Sequence, residues 1–358
     1  MKSLLLAVLI VILLFFSSGC SWTKSNEDGE SDTDGGNGSA EVDAMFLIED
    51  YFPIKDNIRT LYEGQGNEFA TYDVYNEYTS GSSVQQRINN GGTEKIEVLQ
   101  VKDGKLVKQF SQAETYYRQN FLEMENQPEI LLMEPLVEGT TWILDDASVR
   151  TITSISADIA IPSGNYQAIE VTTENPNDPS EKTVHYYARD VGLVKTVFRY
   201  GETKEAEISS SLKEIQENAA MTQTINFYFP KPDEDTISYL SKKIDFHTND
   251  VTRKVLEAAY KENAPATVFS PNTQINSLYL NDDGMVYLDL SGDFITEMNA
   301  GAGYESMMLQ CIANTFGNYY NVQKVILTID NEPYSSGHIF LEKGEYLEVK
   351  PGATLPLD

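Results

Sequence analysis

The stretch INSLYLNDDGMVYLDLSGDF, Ile275 to Phe294, reads as a β-hairpin followed by a break. Two apolar-rich runs, Ile275 to Leu280 and Met285 to Leu290, flank Asn281-Asp282-Asp283-Gly284, whose residue types suit a tight reversal. Leu278 and Leu280 join Val286, Leu288 and Leu290 on one apolar face, because successive strand side chains alternate. Such a face needs a cover, and the neighbouring sequence offers two helices. Upstream, Asn249 and Asp250 are placed to cap a helix running to about Lys261, with Val251, Val255, Leu256, Ala258 and Ala259 as its apolar stripe. Downstream, a helix from about Tyr304 to Phe316 gathers Met308, Leu309, Ile312, Thr315 and Phe316 on one face. Val325 to Ile329 supply a further strand. On the N-terminal side, Asn218 to Thr222 form a connector, Thr224 to Phe229 a strand stopped by Pro230 and Pro232, and Ile244 to Thr248 a short strand. Helices interleaved with strands indicate an α+β domain, residues 218–358.

Before this domain the pattern is all β. Ile58 to Tyr62, Phe69 to Tyr78, Val84 to Asn89, Lys95 to Val101, Leu106 to Phe110 and Glu114 to Arg118 are separated by turn chemistry such as Ser80-Gly81-Ser82 and Lys102-Asp103-Gly104. Further strands run from Glu129 through Trp142 and from Val149 to Ile161, reverse at Pro162-Ser163-Gly164-Asn165 and return as Tyr166 to Thr173. Thr183 to Ala188 and Leu193 to Arg199 flank Arg189-Asp190-Val191-Gly192, and Ala206 to Ile215 are placed to close the sheet. Residues 46–217 are therefore expected to form a curved antiparallel sheet, so that the fold class is two domains, all-β then α+β.

Two resemblances sit on these segments. IPSGNYQAIEV (Ile161 to Val171) followed by VHYYARDVGLVKTVF (Val184 to Phe198) resembles a β-domain of bacterial envelope lipoproteins, with YFP (Tyr51 to Pro53) and NEFATYDV (Asn67 to Val74) in agreement. SPNTQI (Ser270 to Ile275), DGMVYLDLSGDF (Asp283 to Phe294) and QCIANTFGNYYNVQKVILTID (Gln310 to Asp330) resemble the GerMN domain of sporulation and spore germination proteins. That resemblance implies a ring-building type of fold in a surface lipoprotein with a binding or scaffolding role, and it brings no catalytic residues. Asn331 stands where the family commonly has a turn glycine, and a single copy is present where the germination lipoprotein carries two.

The N-terminus sets the compartment. Lys2, an apolar run from Leu4 to Phe16 and the small residues Ser17, Ser18 and Gly19 precede Cys20, which is the layout of a secretory signal over residues 1–19. The apolar run would reach some 20 Å as a helix against a hydrocarbon core of roughly 30 Å, too short for a comfortable span. SSGC resembles the lipobox of bacterial lipoproteins, which implies lipidation of Cys20 by acyl chains such as palmitate after cleavage and a place on the extracytoplasmic face of the cell membrane. From Ser21 to Ala44 the chain turns to Ser, Gly, Asn and acids, so residues 20–45 read as an acylated cysteine and an extended, self-repelling tether.

Composition excludes more than it selects. Lys and Arg number 26 against 55 Asp and Glu, a net charge of −29 that repels nucleic acid. With only Cys20 and Cys311, and His185, His247 and His338, no disulfide framework or Cys/His metal cage is available, and no cofactor or metal is expected. Cys311 falls at the edge of a helical apolar stripe, so packing is its expected use. His185 alternates within a strand and His338 lies in a loop, each a solvated or satisfied side chain. Asp282, Asp283, Asp289 and Asp293 crowd one hairpin, whose geometry scatters them toward solvent instead of pairing them for hydrolysis. The reading is thus a non-enzymatic envelope lipoprotein whose partners are the membrane through Cys20 and envelope proteins or peptidoglycan, with room for homo- or hetero-oligomers. The alternative is a solute- or carbohydrate-binding lipoprotein that uses the concavity of the β-domain, with Tyr116, Tyr117, Tyr186, Tyr187 and Tyr200 as candidate rings. Replacing the thiol in Cys20→Ser is expected to move the protein from membrane to soluble fractions and abolish the acyl mass on the N-terminal peptide, both read by fractionation and mass spectrometry.

Overall fold

The computed structural model describes residues 46–201, 206–262 and 264–356; the expected signal sequence, Cys20 and the expected tether lie outside the described residues. A one-turn helix α1 (Ile48–Tyr51) leads into β1 (Arg59–Gln65), β2 (Tyr72–Ser80), β3 (Ser83–Asn89), β4 (Glu94–Lys102), β5 (Lys105–Ala113) and β6 (Glu129–Met133). Then come β7 (Thr141–Ile143), β8 (Val149–Ile161), β9 (Gly164–Asn175), β10 (Asp178–Ala188), β11 (Gly192–Tyr200) and β12 (Ala206–Gln216). All twelve belong to one antiparallel sheet, in the order β6-β5-β4-β3-β2-β1-β12-β11-β10-β9-β8-β7. Each half is a meander, and the two halves are stitched where β12 pairs with β1. The turn chemistry explains the registers: Asp103 and Gly104, at φ +51° and +65°, close β4 onto β5 with the twist that a two-residue hairpin demands.

The sheet curls until its outer edges meet. β6 and β7 end the strand order, yet Trp142 Nε1 and Arg150 Nη1 both donate to the Ile130 carbonyl, at 3.1 and 2.5 Å. A core of Val84, Leu99, Leu106, Trp142, Ile152, Ile169 and Tyr187 fills part of the interior, and Ile48 and Tyr51 of α1 pack into it.

One expected strand is absent. Residues 114–118 form a loop, because Glu114 sits at φ +55° and breaks the ladder. The loop is held instead by Arg87, buried between β2 and β4, which pairs with Glu77 (2.8 Å) and Glu94 (2.7 Å) and donates to the carbonyls of Thr115 and Tyr117. Burying the Glu77 carboxylate is tolerable only because this guanidinium satisfies it, while Glu94 keeps partial contact with solvent.

The C-terminal half is α+β. β13 (Met221–Lys231) and β14 (Thr236–Phe246) make a long hairpin, α2 (Thr252–Lys261) follows, and β15 (Ile275–Leu280) pairs with β16 (Val286–Leu290). A short α3 (Asp293–Thr296) and the long α4 (Ala302–Tyr320) precede β17 (Lys324–Ile329), which lies parallel to β16. β18 (Glu332–Pro333) and β19 (Leu347–Glu348) flank β17, and β20 (Thr354–Pro356) pairs with β14. The apolar face expected from Leu278, Leu280, Val286, Leu288 and Leu290 is in register and packs, with Ile312 and Phe316 of α4, into one core. Gly317 lets α4 approach the C-terminal segment: a Cβ there would stand 2.2 Å from Val349 Cγ2.

Three local expectations are corrected. β13 starts at Met221 and runs through Pro230, because it pairs only with β14 and a missing N–H on its open side costs nothing. α2 begins at Thr252 without a side-chain cap, since Asn249 Oδ1 accepts from Thr79 N (2.9 Å) and Asp250 Oδ2 accepts from His247 N (2.7 Å). Val251 and Ala258 are consequently exposed. Asp289 is not solvated: it is 3% exposed and accepts from Thr328 Oγ1 (2.6 Å), Asn331 N (2.7 Å) and Asn276 Nδ2 (2.9 Å). The β17–β18 turn explains both this and the missing family glycine, for Asp330 and Asn331 adopt φ +48° and +68°, and Asn tolerates that region.

The two halves are joined by Arg118, which is fully buried. Its guanidinium donates to the Asp250, Glu77 and His247 carbonyls and to Thr252 Oγ1, and it lies 4.2 Å from the Tyr78 ring centroid. Its Nε has no partner among the described residues. Around it, Tyr75 of β2 belongs to the C-terminal core and donates to Phe246 O (3.1 Å), while Thr248 exchanges hydrogen bonds with Asn57 at 2.7 and 2.8 Å. Arg118→Met, which keeps bulk but removes the donors, is expected to cost about 3 kcal/mol, whereas Arg199→Met at an exposed ion pair should cost about 0–1 kcal/mol; denaturant titrations of both variants measure the contrast.

Candidate functional site

Strand alternation turns one set of side chains toward the hollow of the curled sheet. They line a cavity of about 740 Å³ bounded by β1 to β6, β8, β10, β11 and β12, with Phe52 to Lys55 entering after α1. The volume falls within the roughly 300–1,000 Å³ of small-molecule sites. Register divides its wall into two zones. Val84, Leu99, Leu106 and Leu193 make an aliphatic zone beside Phe52 and Ile54, and Leu212 joins Val74 and Ile88 in a second apolar patch beside Tyr62 and Tyr72. Lys95, Glu97, Lys108, Glu129, Arg150 and His185 make a polar zone farther along the same strands. Between them stand the phenols of Tyr62, Tyr72 and Tyr187. Phe69, 51% exposed, and Ile215, 41% exposed, mark apolar points of the rim.

The electrostatics of the polar zone are specific. Glu129 receives Lys108 and Arg150, each at 2.5 Å; burial opposes its ionisation, but the two cations hold its carboxyl below the usual range. Lys95 pairs with Glu97 at 2.7 Å. Three cations therefore face two carboxylates in this zone, and Lys55, Asp190 and Glu217 elsewhere in the lining bring the whole wall to charge balance. His185 is held near 4 by burial, assisted by the nearby Arg150 charge, so its imidazole is neutral at neutral pH. Burial pushes the Tyr187 phenol up to about 12 and raises Tyr62 and Tyr72 as well, which keeps all three as hydroxyl donors. Tyr62 spends its proton on Leu193 O at 2.8 Å.

Of the five tyrosines expected in the concavity, only Tyr187 lines it. Its neighbour Tyr186 points through the opposite face into a cluster with Val184, Val194 and Val197. Tyr117 packs against Tyr320 of α4, Tyr116 donates to Glu114 on the surface, and Tyr200 stacks outside on Phe198. Tyr62, Tyr72, Lys108, Glu129 and Arg150 were missed, and alternation within TLYEG and TYDVY was the signal that could have found the first two. His185, expected to be solvated or satisfied, shares the inward parity of Tyr187. His338 lies exposed after Ser336, and Cys311 is buried in the C-terminal core, its thiol pushed up by burial. No group of three or more metal-ligating side chains occurs among the described residues. Nor, among them, is any helix long and apolar enough to cross a membrane.

The C-terminal half, with its β15–β16 hairpin, parallel β16–β17 pair and covering α4, decides the relationship. Residues 226–335 match the Germane family, described as sporulation and spore germination. Solved structures give partial likenesses to the chain that contains this Germane module. A Bacteroides fragilis protein described as exported and of YmcC-like fold is 14% identical, with 47% of this chain and 99% of that chain covered and a TM-score of 0.29. The tandem GerMN domains of the sporulation protein GerM from Bacillus subtilis are 15% identical over 36% of this chain and 46% of that one, with a TM-score of 0.28. A Clostridium perfringens protein described as a lipoprotein is 19% identical over 36% of this chain and 93% of that one, with a TM-score of 0.22. A search of curated proteins found no match.

The neutral His185 has a consequence for pH. Unfolded, the residue takes a proton near 6.5, whereas folded it resists until about 4, so its share of stability is complete above 6.5 and is lost as the pH falls toward 4. Allowing for screening by water in the cavity, the loss is about 1–3 kcal/mol. Urea titrations at pH 7 and pH 4.5 should show a smaller fall in stability for His185→Gln than for the natural chain.

Proposed function

We propose that this protein is a non-enzymatic lipoprotein of the bacterial envelope, held on the extracytoplasmic side through Cys20, whose Germane module docks envelope proteins or peptidoglycan, with a role in sporulation or germination. The observation that carries the reading is the Arg118 junction. It fixes the Germane module onto the β-module through four acceptors drawn from both halves, so a partner bound by one is borne by both. The reactive side chains support a non-catalytic reading by being used structurally: Cys311 is packed, Asp289 is fully hydrogen-bonded, and Glu305 accepts from Tyr334 (2.7 Å) and Ser336 (2.5 Å). The Germane module also exposes apolar rings, Tyr279 at 42% and Phe340 at 65%, of the type that anchors protein contacts.

A photo-crosslinking residue at position 279 or 340 of the full chain, activated in intact cells, is expected to yield discrete adducts with envelope proteins or wall fragments. The same residue at position 200, on the outer face of the β-module, serves as the comparison. Equal, unspecific adducts at all three positions would rule out docking through the Germane module.

A second reading has its own support. The cavity of about 740 Å³ in the β-module is large enough to hold a small molecule, which favours a solute-binding role beside the docking one.

A further inference from the structure

We infer that the β-module cavity binds a single-chain amphiphile with an anionic headgroup, a carboxylate or a phosphate, with its alkyl chain in the aliphatic zone and its head among Tyr187, Tyr72 and the Lys108–Arg150 cations. The inference rests on the solute-binding reading and assigns that site a ligand class.

The walls choose the chain. The wall carries aromatic rings, Phe52, Tyr62, Phe69, Tyr72 and Tyr187, but also the branched aliphatics Val84, Leu99, Leu106, Leu193 and Leu212, which suit methylene chains at about 0.8 kcal/mol per buried CH₂. Exposed Phe69 at the rim extends this apolar surface to the entrance.

The polar zone chooses the head. Tyr187 is 4% exposed and faces the cavity, yet its hydroxyl has no hydrogen-bond partner among the described residues. The Tyr72 hydroxyl and the His185 ring, which line the same space, also have none among the described residues. These groups open onto the cavity, so their hydrogen-bonding capacity is available to a bound acceptor that the protein does not supply. Within the polar zone the charges favour a negative acceptor, with Lys95, Lys108 and Arg150 against Glu97 and Glu129, while Lys55, Asp190 and Glu217 bring the lining as a whole to balance. Arg150 spends Nε on Thr173, Nη1 on the Ile130 carbonyl and Nη2 on Glu129, whereas Lys108 makes one ion pair, with Glu129, and keeps donors for a second oxygen. A neutral sugar would leave that charge unanswered, and a cationic amphiphile would meet it with the same sign.

The test uses the full chain carrying Cys20→Ser, so that the protein's own acyl groups do not compete, and follows displacement of the fluorescent fatty acid cis-parinarate. Oleate and lysophosphatidylglycerol, the two sources of the same head chemistry, are compared with oleyl alcohol, oleylamine and a muropeptide. The expected result is saturable displacement by oleate, lysophosphatidylglycerol or both, at least tenfold tighter than by the alcohol or the amine. Tyr187→Phe, which keeps the ring and the packing, should weaken the anionic ligand about 3- to 10-fold and leave the alcohol unchanged. Thr196→Trp, which fills the cavity from β11, should abolish displacement while the melting transition persists. Equal affinity for alcohol and oleate, or displacement by the muropeptide alone, would overturn the assigned class while leaving a cavity that binds solutes. Absence of displacement by every probe would overturn the class and the solute-binding reading together.

Discussion

A guanidinium with no access to water is the constraint on which the rest of the molecule depends. Arg118 lies in a loop of the β-module, and its acceptors are three main-chain carbonyls and one threonine hydroxyl, most of them on the segment that leads into α2. A charge buried this way is tolerated only while every part of that cage is in place. The loop, in turn, is shaped by Arg87 and its two carboxylates, of which Glu77 is fully buried and Glu94 partly so. The halves are therefore linked by a chain of polar requirements, each met by the next, and not by apolar contact alone. Asn249 illustrates the cost to local rules: a residue well suited to cap α2 serves the junction instead.

Much of the fold was legible in the sequence because strand and turn chemistry are local. Gly104, Gly192 and the Asn281–Gly284 turn announce reversals through their own backbone freedom, and the hydrophobic face of β15 and β16 announces itself by alternation. What was not legible depended on distant atoms. Nothing near Glu114 says that the chain leaves the ladder there, since the carbonyls that follow it are claimed by Arg87 from another strand. Asp289 reads as solvated by spacing alone; its burial requires Thr328 and Asn331, about forty residues on, to arrive on the same face. The cavity was foreseen as a concavity but with mismatched rings, because Tyr186 and Tyr187 cannot face the same way. The ionised cluster escaped notice for a different reason: Lys108, Glu129 and Arg150 lie on three strands and become neighbours only when the sheet curls.

The charge pattern separates surface from interior. The exterior is acidic, with a net charge of −29 over the chain, which discourages nonspecific adhesion to anionic surfaces. Inside, cations and carboxylates of the lining balance, and the titratable phenols and imidazole are neutral, so the interior is a polar field made of paired charges and open hydroxyls. In a low-dielectric hollow such a field acts more strongly than it would in water.

The meeting of β6 and β7 adds a mechanical property. Most of the sheet is bound by ladders of main-chain hydrogen bonds that resist shear as a set, but this line is fastened by side chains: Trp142 and Arg150 on the Ile130 carbonyl, Arg150 on Glu129, and Trp142 packed with Leu132. Parting it would break those contacts without unravelling any ladder, as a laced opening loosens while the cloth stays whole. The closure of the container is thus a matter of side chains along one line, and substitutions there act on the seam and leave the weave alone.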